Sequence, residues 1–105
     1  MSREPMDADA VSAALAETEG WTLASDGRSI TRTFRFPSFG DAFAFMTRVA
    51  LEAEDIDHHP DWSNSFRTVT VSLSTHVAKG LTALDFQLAR AMNLFAHGDE
   101  RENGS

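Results

Sequence analysis

Two adjacent histidines, His58 and His59, stand in the middle of the stretch LEAEDIDHHPDWSN, and a third, His76, follows the segment TVTVSLST. The fourth, His97, falls at the end of a predicted helix, where the helix dipole mildly favours a cation and no functional explanation is needed. The chain contains no cysteine, which excludes a thiolate nucleophile and a cysteine-based zinc site. Histidine and carboxylate side chains are therefore the main candidates for chemistry.

The elements around the first three histidines predict that they converge. His59 precedes Pro60, which favours an extended backbone, so the acidic helix before the pair must end close to it. The two strands after the pair are spaced as hairpin neighbours, so the far end of the second returns toward the start of the first. We therefore expect His76 to lie near His58 and His59.

Three converging imidazoles have two interpretations. With Glu54 and Asp57 they include enough nitrogen and oxygen donors for zinc or iron, which makes a metal site the first alternative. Adjacent histidines in an extended segment point apart, however, and no histidine pair has helical spacing. Acid–base catalysis requires less of the geometry, because an imidazole gains and loses a proton near neutral pH. The spacing favours acid–base chemistry over a metal.

Two acids are candidates for supporting the histidines. Glu54 lies four residues before His58 and could orient one ring. Thr82 and Asp85 form the pattern T-x-x-D, which is typical of a capping box at a helix N-terminus. Asp85 therefore has two interpretations, a helix cap or a site acid, and the same carboxylate could do both.

Hydrophobic periodicity predicts an α+β fold with the element order α-β-β-α-β-β-α. Asp26-Gly27 indicates a tight hairpin turn, and the hairpins require an antiparallel sheet with the helices packed on one face. The predicted elements are a helix over 6–19, strands over 21–25 and 29–36, a helix over 38–54, strands over 62–66 and 66–75, and a helix over 81–97. The residues of the second helix predicted to face the core are Phe39, Ala42, Phe43, Met46, Val49, Ala50 and Ala53.

Composition limits the classes of function. The 105 residues suit one domain over 1–105, with flexible ends at about 1–5 and 98–105, and 42% hydrophobic with 24% charged residues is typical of globular chains. A net charge of -7 without a basic cluster argues against direct nucleic-acid binding. No signal peptide or membrane-spanning run is recognisable, so we expect a cytoplasmic protein that does not bind membranes.

The segments AFAFMTRVALEAEDIDHHPDWSN and LSTHVAKGLTALD closely resemble the pterin-4a-carbinolamine dehydratases, which also act as dimerisation cofactors of a homeodomain transcription factor. The resemblance runs from about Trp21 to Leu94. It implies a four-stranded antiparallel sheet with three helices on one face, assembled into a homodimer or homotetramer. It also implies the loss of water from 4a-hydroxytetrahydropterin, in tetrahydropterin recycling linked to an aromatic amino-acid hydroxylase.

The same resemblance implies roles for particular residues. The catalytic group would be His58, His59, His76, Glu54 and Asp85, with no metal and no cofactor besides the pterin substrate. Further residues implied at the pterin pocket are Asp57, Pro60, Trp62, Ser74, Thr75 and Val77. Which histidine is the acid and which the base stays open. The alternative function is a non-catalytic module that keeps the fold and binds a partner protein.

Overall fold

A computed structural model of the protein describes residues 3–97 and has the predicted element order. The expected flexible tail over 98–105 lies outside the described residues. A short 3₁₀ turn, His76–Ala78, precedes the last helix. The elements are α1 (Ala8–Ala16), β1 (Thr22–Leu23), β2 (Ile30–Arg35), α2 (Phe39–Ile56), β3 (Asp61–Ser65), β4 (Thr68–Leu73) and α3 (Ala83–Ala96).

The four strands form one antiparallel sheet in the order β1-β2-β4-β3. The turn between β1 and β2 contains Gly27 with φ +74°, as the Asp-Gly pair predicts. The turn between β3 and β4 begins at Phe66, whose φ of 54° ends β3 one residue earlier than predicted. In the β3–β4 hairpin, Asp61 pairs with Ser72, so the start of β3 lies beside the end of β4.

One face of the sheet packs against the hydrophobic core, as the alternation of apolar and polar residues in the strands predicts. The inward apolar residues of the two central strands have no solvent exposure, whereas Thr33 and Thr70 on the other face are exposed. Burial of these apolar side chains is the main favourable contribution to folding. The buried strand-face residues are Ile30, Phe34, Phe36, Val69, Val71 and Leu73.

Helix α2 turns only part of its predicted face to the sheet, and Ala42, Val49 and Ala53 are buried as predicted. Phe39 and Phe43 are 49% and 53% exposed and Ala50 is also exposed, so their predicted places in the core are wrong. Phe45 is 2% exposed instead, and its ring centroid lies 4.8 Å from that of Phe34. Apolar residues cover more than one side of α2, and the sheet aromatics select the side that carries Phe45. The buried positions of α2 are Ala42, Phe45, Val49 and Ala53.

The helix ends follow local capping chemistry. Ser38 accepts the Asp41 N–H at 3.0 Å and begins α2, as predicted. Asp7 accepts the Ala10 N–H at 2.8 Å, so α1 starts later than predicted. Thr82 is the N-cap of α3. Within residues 3–97, none of the helices is long and apolar enough to cross a membrane.

The orientation of α2 can be tested with two phenylalanine-to-alanine variants on the same helix. Phe45→Ala should lower the free energy of unfolding by about 3–5 kcal/mol, because it opens a cavity beneath the sheet aromatics. Phe43→Ala should cost less than about 1 kcal/mol in the monomer, because its ring is half exposed. Urea unfolding of dilute protein measures both values. Equal losses for the two variants would contradict this orientation.

Candidate active site

An open cleft of about 210 Å³ lies where α2 ends and where β4 ends. One wall comes from the segment after α2 and the other from the segment after β4. Its volume suits a small ring system rather than a large cofactor. The residues that line it are Arg3, Asp57, His58, His59, Ser74, Thr75, His76 and Val77.

The first wall is set by how α2 stops. Asp57 takes the left-handed conformation (φ 53°, ψ 47°), and the next N–H, of His58, binds the Ala53 carbonyl oxygen at 3.0 Å. This is a common way to end a helix, although glycine is the usual residue at the left-handed position. The chain then passes through His59 and Pro60 into β3. The turn directs both histidines to the end of the sheet.

The second wall is a tight loop between β4 and α3. The Thr75 N–H binds the Gly80 carbonyl oxygen at 2.8 Å, and the Gly80 N–H returns to the Thr75 oxygen at 3.3 Å. Lys79, with φ 57°, closes the 3₁₀ turn that contains His76. This loop holds His76 across the cleft from the His58–His59 pair, so the predicted convergence of the three histidines is confirmed.

His58 and Asp85 form the buried pair of the site. His58 Nε2 lies 2.6 Å from Asp85 Oδ1, and the two side chains are 7% and 0% exposed. A carboxylate accepts hydrogen bonds, so the pair favours the His58 tautomer with its proton on Nε2. In the neutral ring the other nitrogen, Nδ1, is then available as a proton acceptor.

The second oxygen of Asp85 is also fully engaged. Asp85 Oδ2 accepts the Thr75 hydroxyl at 2.8 Å and the backbone N–H of Thr82 at 2.9 Å. Thr75 and Thr82 are themselves linked through their hydroxyls at 2.8 Å. Asp85 therefore caps α3, as one interpretation predicts, and it also holds a histidine of the cleft.

The other two histidines are exposed and have looser partners. His59 Nε2 lies 2.9 Å from Glu54 Oε2, with side-chain exposures of 56% and 77%, so the ring that Glu54 orients is His59. His76 Nε2 lies 3.7 Å from Asp61 Oδ2, too far for a direct hydrogen bond. Both rings can exchange protons with water, whereas His58 is nearly enclosed.

The structure separates some of the predicted residues from the cleft and adds others. Pro60 and Trp62 do not line it; the Trp62 side chain packs against the core instead. Arg3 lines the cleft and Asp61 lies beside His76, and neither residue was predicted at the site. Asp61 lies two residues after His59, so its place near the histidines was predictable, but nothing in the sequence indicates that Arg3 folds back over the site. Among residues 3–97, no three histidine or acidic side chains gather as a metal site would require.

A larger cavity of about 360 Å³ lies at the opposite end of β4. It is lined by the β3–β4 turn and contains no histidine or carboxylate. Volume alone would favour this cavity or a shallow one of about 370 Å³ beside Glu17, Glu19 and His97. Three histidines converge in the smaller cleft, however, and ligand sites are distinguished by converging polar groups that can act on a ligand. The histidine cleft is therefore the candidate active site.

Two solved structures show which class of protein this fold and cleft define. A transcriptional coactivator/pterin dehydratase from Brucella melitensis superposes with a TM-score of 0.86 at 41% identity, over 89% of this chain and 99% of that one. A pterin dehydratase-like RuBisCO assembly factor of the alpha-carboxysome superposes with a TM-score of 0.65 at 18% identity, over 75% and 92% of the two chains. The second likeness shows the shared fold alone. The chain is an α+β domain of the pterin dehydratase class.

The family follows from the sequence match. The model of the family "Pterin 4 alpha carbinolamine dehydratase" matches residues 4–95, and the chain belongs to this family. A protein of Mesorhizobium japonicum, named as a candidate pterin-4-alpha-carbinolamine dehydratase, is 59% identical over 93% of this chain and 100% of its own length. The resemblance seen in the sequence is confirmed, and the family is one of hydro-lyase enzymes.

The different environments of Asp85 and Glu54 predict different stability effects. Asp85→Asn should lower the free energy of unfolding by about 2–4 kcal/mol, because it removes the charge from a buried, fully hydrogen-bonded group. Glu54→Gln should cost less than about 1 kcal/mol, because its contact with His59 is exposed to water. Urea unfolding at neutral pH measures both. A loss for Glu54→Gln as large as that for Asp85→Asn would contradict the burial assigned to the two acids.

Proposed function

We propose that this protein removes water from 4a-hydroxytetrahydropterins to give quinonoid dihydropterins, using histidines as acid and base. The observation that carries the proposal is the cleft in which His58, held by the buried Asp85, faces His76 across a space of about 210 Å³. Membership of the pterin 4 alpha carbinolamine dehydratase family supports the same substrate class.

The reaction needs one proton donor and one proton acceptor. The bond from carbon 4a to the hydroxyl oxygen breaks, and the hydroxyl leaves as water after it receives a proton. The lone pair on ring nitrogen 5 forms a new double bond to carbon 4a, and the proton on that nitrogen passes to a base. Atoms and charges balance without a metal or redox cofactor, because the ring nitrogen supplies the electrons.

His58 is suited to the base and His76 to the acid. The contact with Asp85 leaves the second ring nitrogen of His58 as the acceptor, and the negative charge of Asp85 stabilises the imidazolium that forms. His76 is 83% exposed, so water can restore its proton after each turnover. The two rings lie on opposite walls of the cleft, as groups acting on two positions of one substrate must.

In this proposal the remaining cleft residues bind the pterin ring. His59, oriented by Glu54, donates or accepts hydrogen bonds at the edge of the ring. The other proposed contacts are on the two walls of the cleft. They come from Asp57, Ser74, Thr75 and Val77.

The biological setting of the proposal is tetrahydropterin recycling. A 4a-hydroxytetrahydropterin forms when a pterin-dependent aromatic amino-acid hydroxylase inserts oxygen into its substrate. We therefore propose a functional link to such a hydroxylase, with the enzyme acting as a homodimer or homotetramer in the cytoplasm.

One observation favours a second, non-catalytic function. Phe39, Phe43 and Leu51 of α2 are 49%, 53% and 68% exposed, and exposed apolar groups of this kind often mark protein contacts. The Brucella relative is titled both a transcriptional coactivator and a pterin dehydratase. Partner binding through α2 and catalysis in the cleft use separate surfaces, so one chain can carry both.

The test of the enzyme function is the ultraviolet-monitored decay of freshly generated 4a-hydroxytetrahydropterin. Wild type should accelerate the decay equally with and without EDTA. His58→Ala and His76→Ala should each lower kcat/KM by at least about 100-fold, the usual contribution of acid–base catalysis. His97→Ala is the matched control and should behave as wild type, because His97 lies at the end of α3.

Each contrary result has a definite meaning. No acceleration by folded wild type would reject the dehydratase function for this pterin and leave partner binding as the leading function. Loss of activity in EDTA that added zinc or iron restores would replace the metal-free mechanism with a metal-dependent one. Full activity of His58→Ala would reject His58 as the base.

The binding role of His59 predicts a different kinetic pattern. His59→Ala should raise KM about tenfold and change kcat by less than about threefold, because one hydrogen bond to bound substrate is lost. Glu54→Gln should shift KM in the same direction by a smaller factor. Steady-state rates over a range of pterin concentrations measure both. A fall in kcat at unchanged KM would place His59 among the proton-transfer groups instead.

A further inference from the structure

Arg3 reaches the cleft from the segment that precedes α1. Its guanidinium donates a hydrogen bond to the backbone carbonyl oxygen of Asp57 and lies 3.7 Å from the Asp57 carboxylate. The Arg3 side chain is 39% exposed and lines the cleft beside the histidines. The N-terminal segment therefore supplies a third side to a site whose other two walls follow α2 and β4.

The segment that carries Arg3 is fixed by hydrogen bonds on the far side of the cleft. The Met6 N–H binds the Leu81 carbonyl oxygen at 2.9 Å, directly after the loop that forms the second wall. Asp7 then caps α1. Residues 3–6 consequently run from the second wall to the first, and Arg3 is held at the first by Asp57.

Arg3 changes the charge of the cleft. Of the cleft-lining residues within 3–97, it is the one with a permanent positive charge, since the other basic groups there are histidines. The last turn of α2 contains no basic residue of its own, so the guanidinium also offsets the partial negative charge at that helix end. Both contacts with Asp57 are made by one guanidinium nitrogen, Nη2, and an arginine has five N–H donors.

We propose that Arg3 is a substrate-binding residue of the cleft. Arg3 lines a space sized for a small ring, and a pterin offers a carbonyl oxygen and ring nitrogens as acceptors. A planar guanidinium can also stack on a flat heterocycle. Asp57 orients the guanidinium, so the two act as one binding unit. This inference rests on the proposed dehydratase function and adds to it a contact from the N-terminal segment.

A purely structural role makes a different prediction. If Arg3 only ties the N-terminal segment to α2, its loss lowers the melting temperature and leaves pterin affinity unchanged. If Arg3 binds substrate, its loss weakens pterin binding even where the fold is intact. The separation of KM from kcat, together with a binding measurement free of catalysis, distinguishes the two.

The experiment compares wild type, Arg3→Gln, Arg3→Lys and the charge-matched control Arg28→Gln, which changes an exposed residue near the β1–β2 turn. The readouts are the Kd for 7,8-dihydrobiopterin by calorimetry and the steady-state KM and kcat for dehydration. Arg3→Gln should raise Kd and KM about tenfold, the scale of one hydrogen bond from a charged donor. The kcat of Arg3→Gln should stay within about twofold of that of wild type. The Kd and KM of Arg3→Lys should lie between those of wild type and Arg3→Gln, and those of Arg28→Gln should match wild type.

Two results would overturn the inference, and they are distinguishable. Wild-type Kd and KM in Arg3→Gln, with an active parent enzyme, would reject Arg3 as a binding residue and leave the dehydratase function standing. Wild type that neither binds 7,8-dihydrobiopterin nor accelerates dehydration would reject the proposed function and the Arg3 inference together.

Discussion

The site depends on the hydrogen bonds that surround the buried carboxylate of Asp85. A charge removed from water is stable only when hydrogen-bond donors surround it, and here the donors come from three separate parts of the chain. Thr75 follows β4, Thr82 begins α3 and His58 follows α2. The group that begins the last helix therefore also fixes the ring that faces the cleft, so the fold and the site are satisfied by the same hydrogen bonds.

Features set by local periodicity were predictable from the sequence. The alternation of Val69, Val71 and Leu73 with threonines and serines predicts the central strand and its buried face, and the Asp-Gly pair predicts the first hairpin turn. Because hairpin pairing brings the end of β4 to the start of β3, even the convergence of His76 with the other histidines follows from strand order. Each of these inferences uses residues that are close in sequence or joined by a short turn.

Features set by long-range packing were not predictable. The side of α2 that meets the sheet depends on the aromatic rings of β2, so the choice of Phe45 over Phe43 requires the assembled core. The contact between Arg3 and Asp57 joins residues 54 positions apart and leaves no periodic signal. For Asp85 the sequence leaves a helix cap and a site acid as alternatives, and only the three-dimensional arrangement shows that the carboxylate that caps α3 also contacts His58.

Within residues 3–97, three residues other than glycine adopt positive φ, namely Asp57, Phe66 and Lys79, at 53°, 54° and 57°. Such a conformation costs roughly 1 kcal/mol for most side chains. Phe66 lies in the β3–β4 turn, at the opposite end of β4 from the histidines. Its replacement by asparagine or glycine should therefore raise the melting temperature without lowering activity. Asp57 begins the first wall of the cleft and Lys79 closes the turn that holds His76, so added backbone freedom at either residue would loosen the spacing of the histidines. The three residues have similar backbone strain, but only Phe66 is a suitable position for a stabilising substitution.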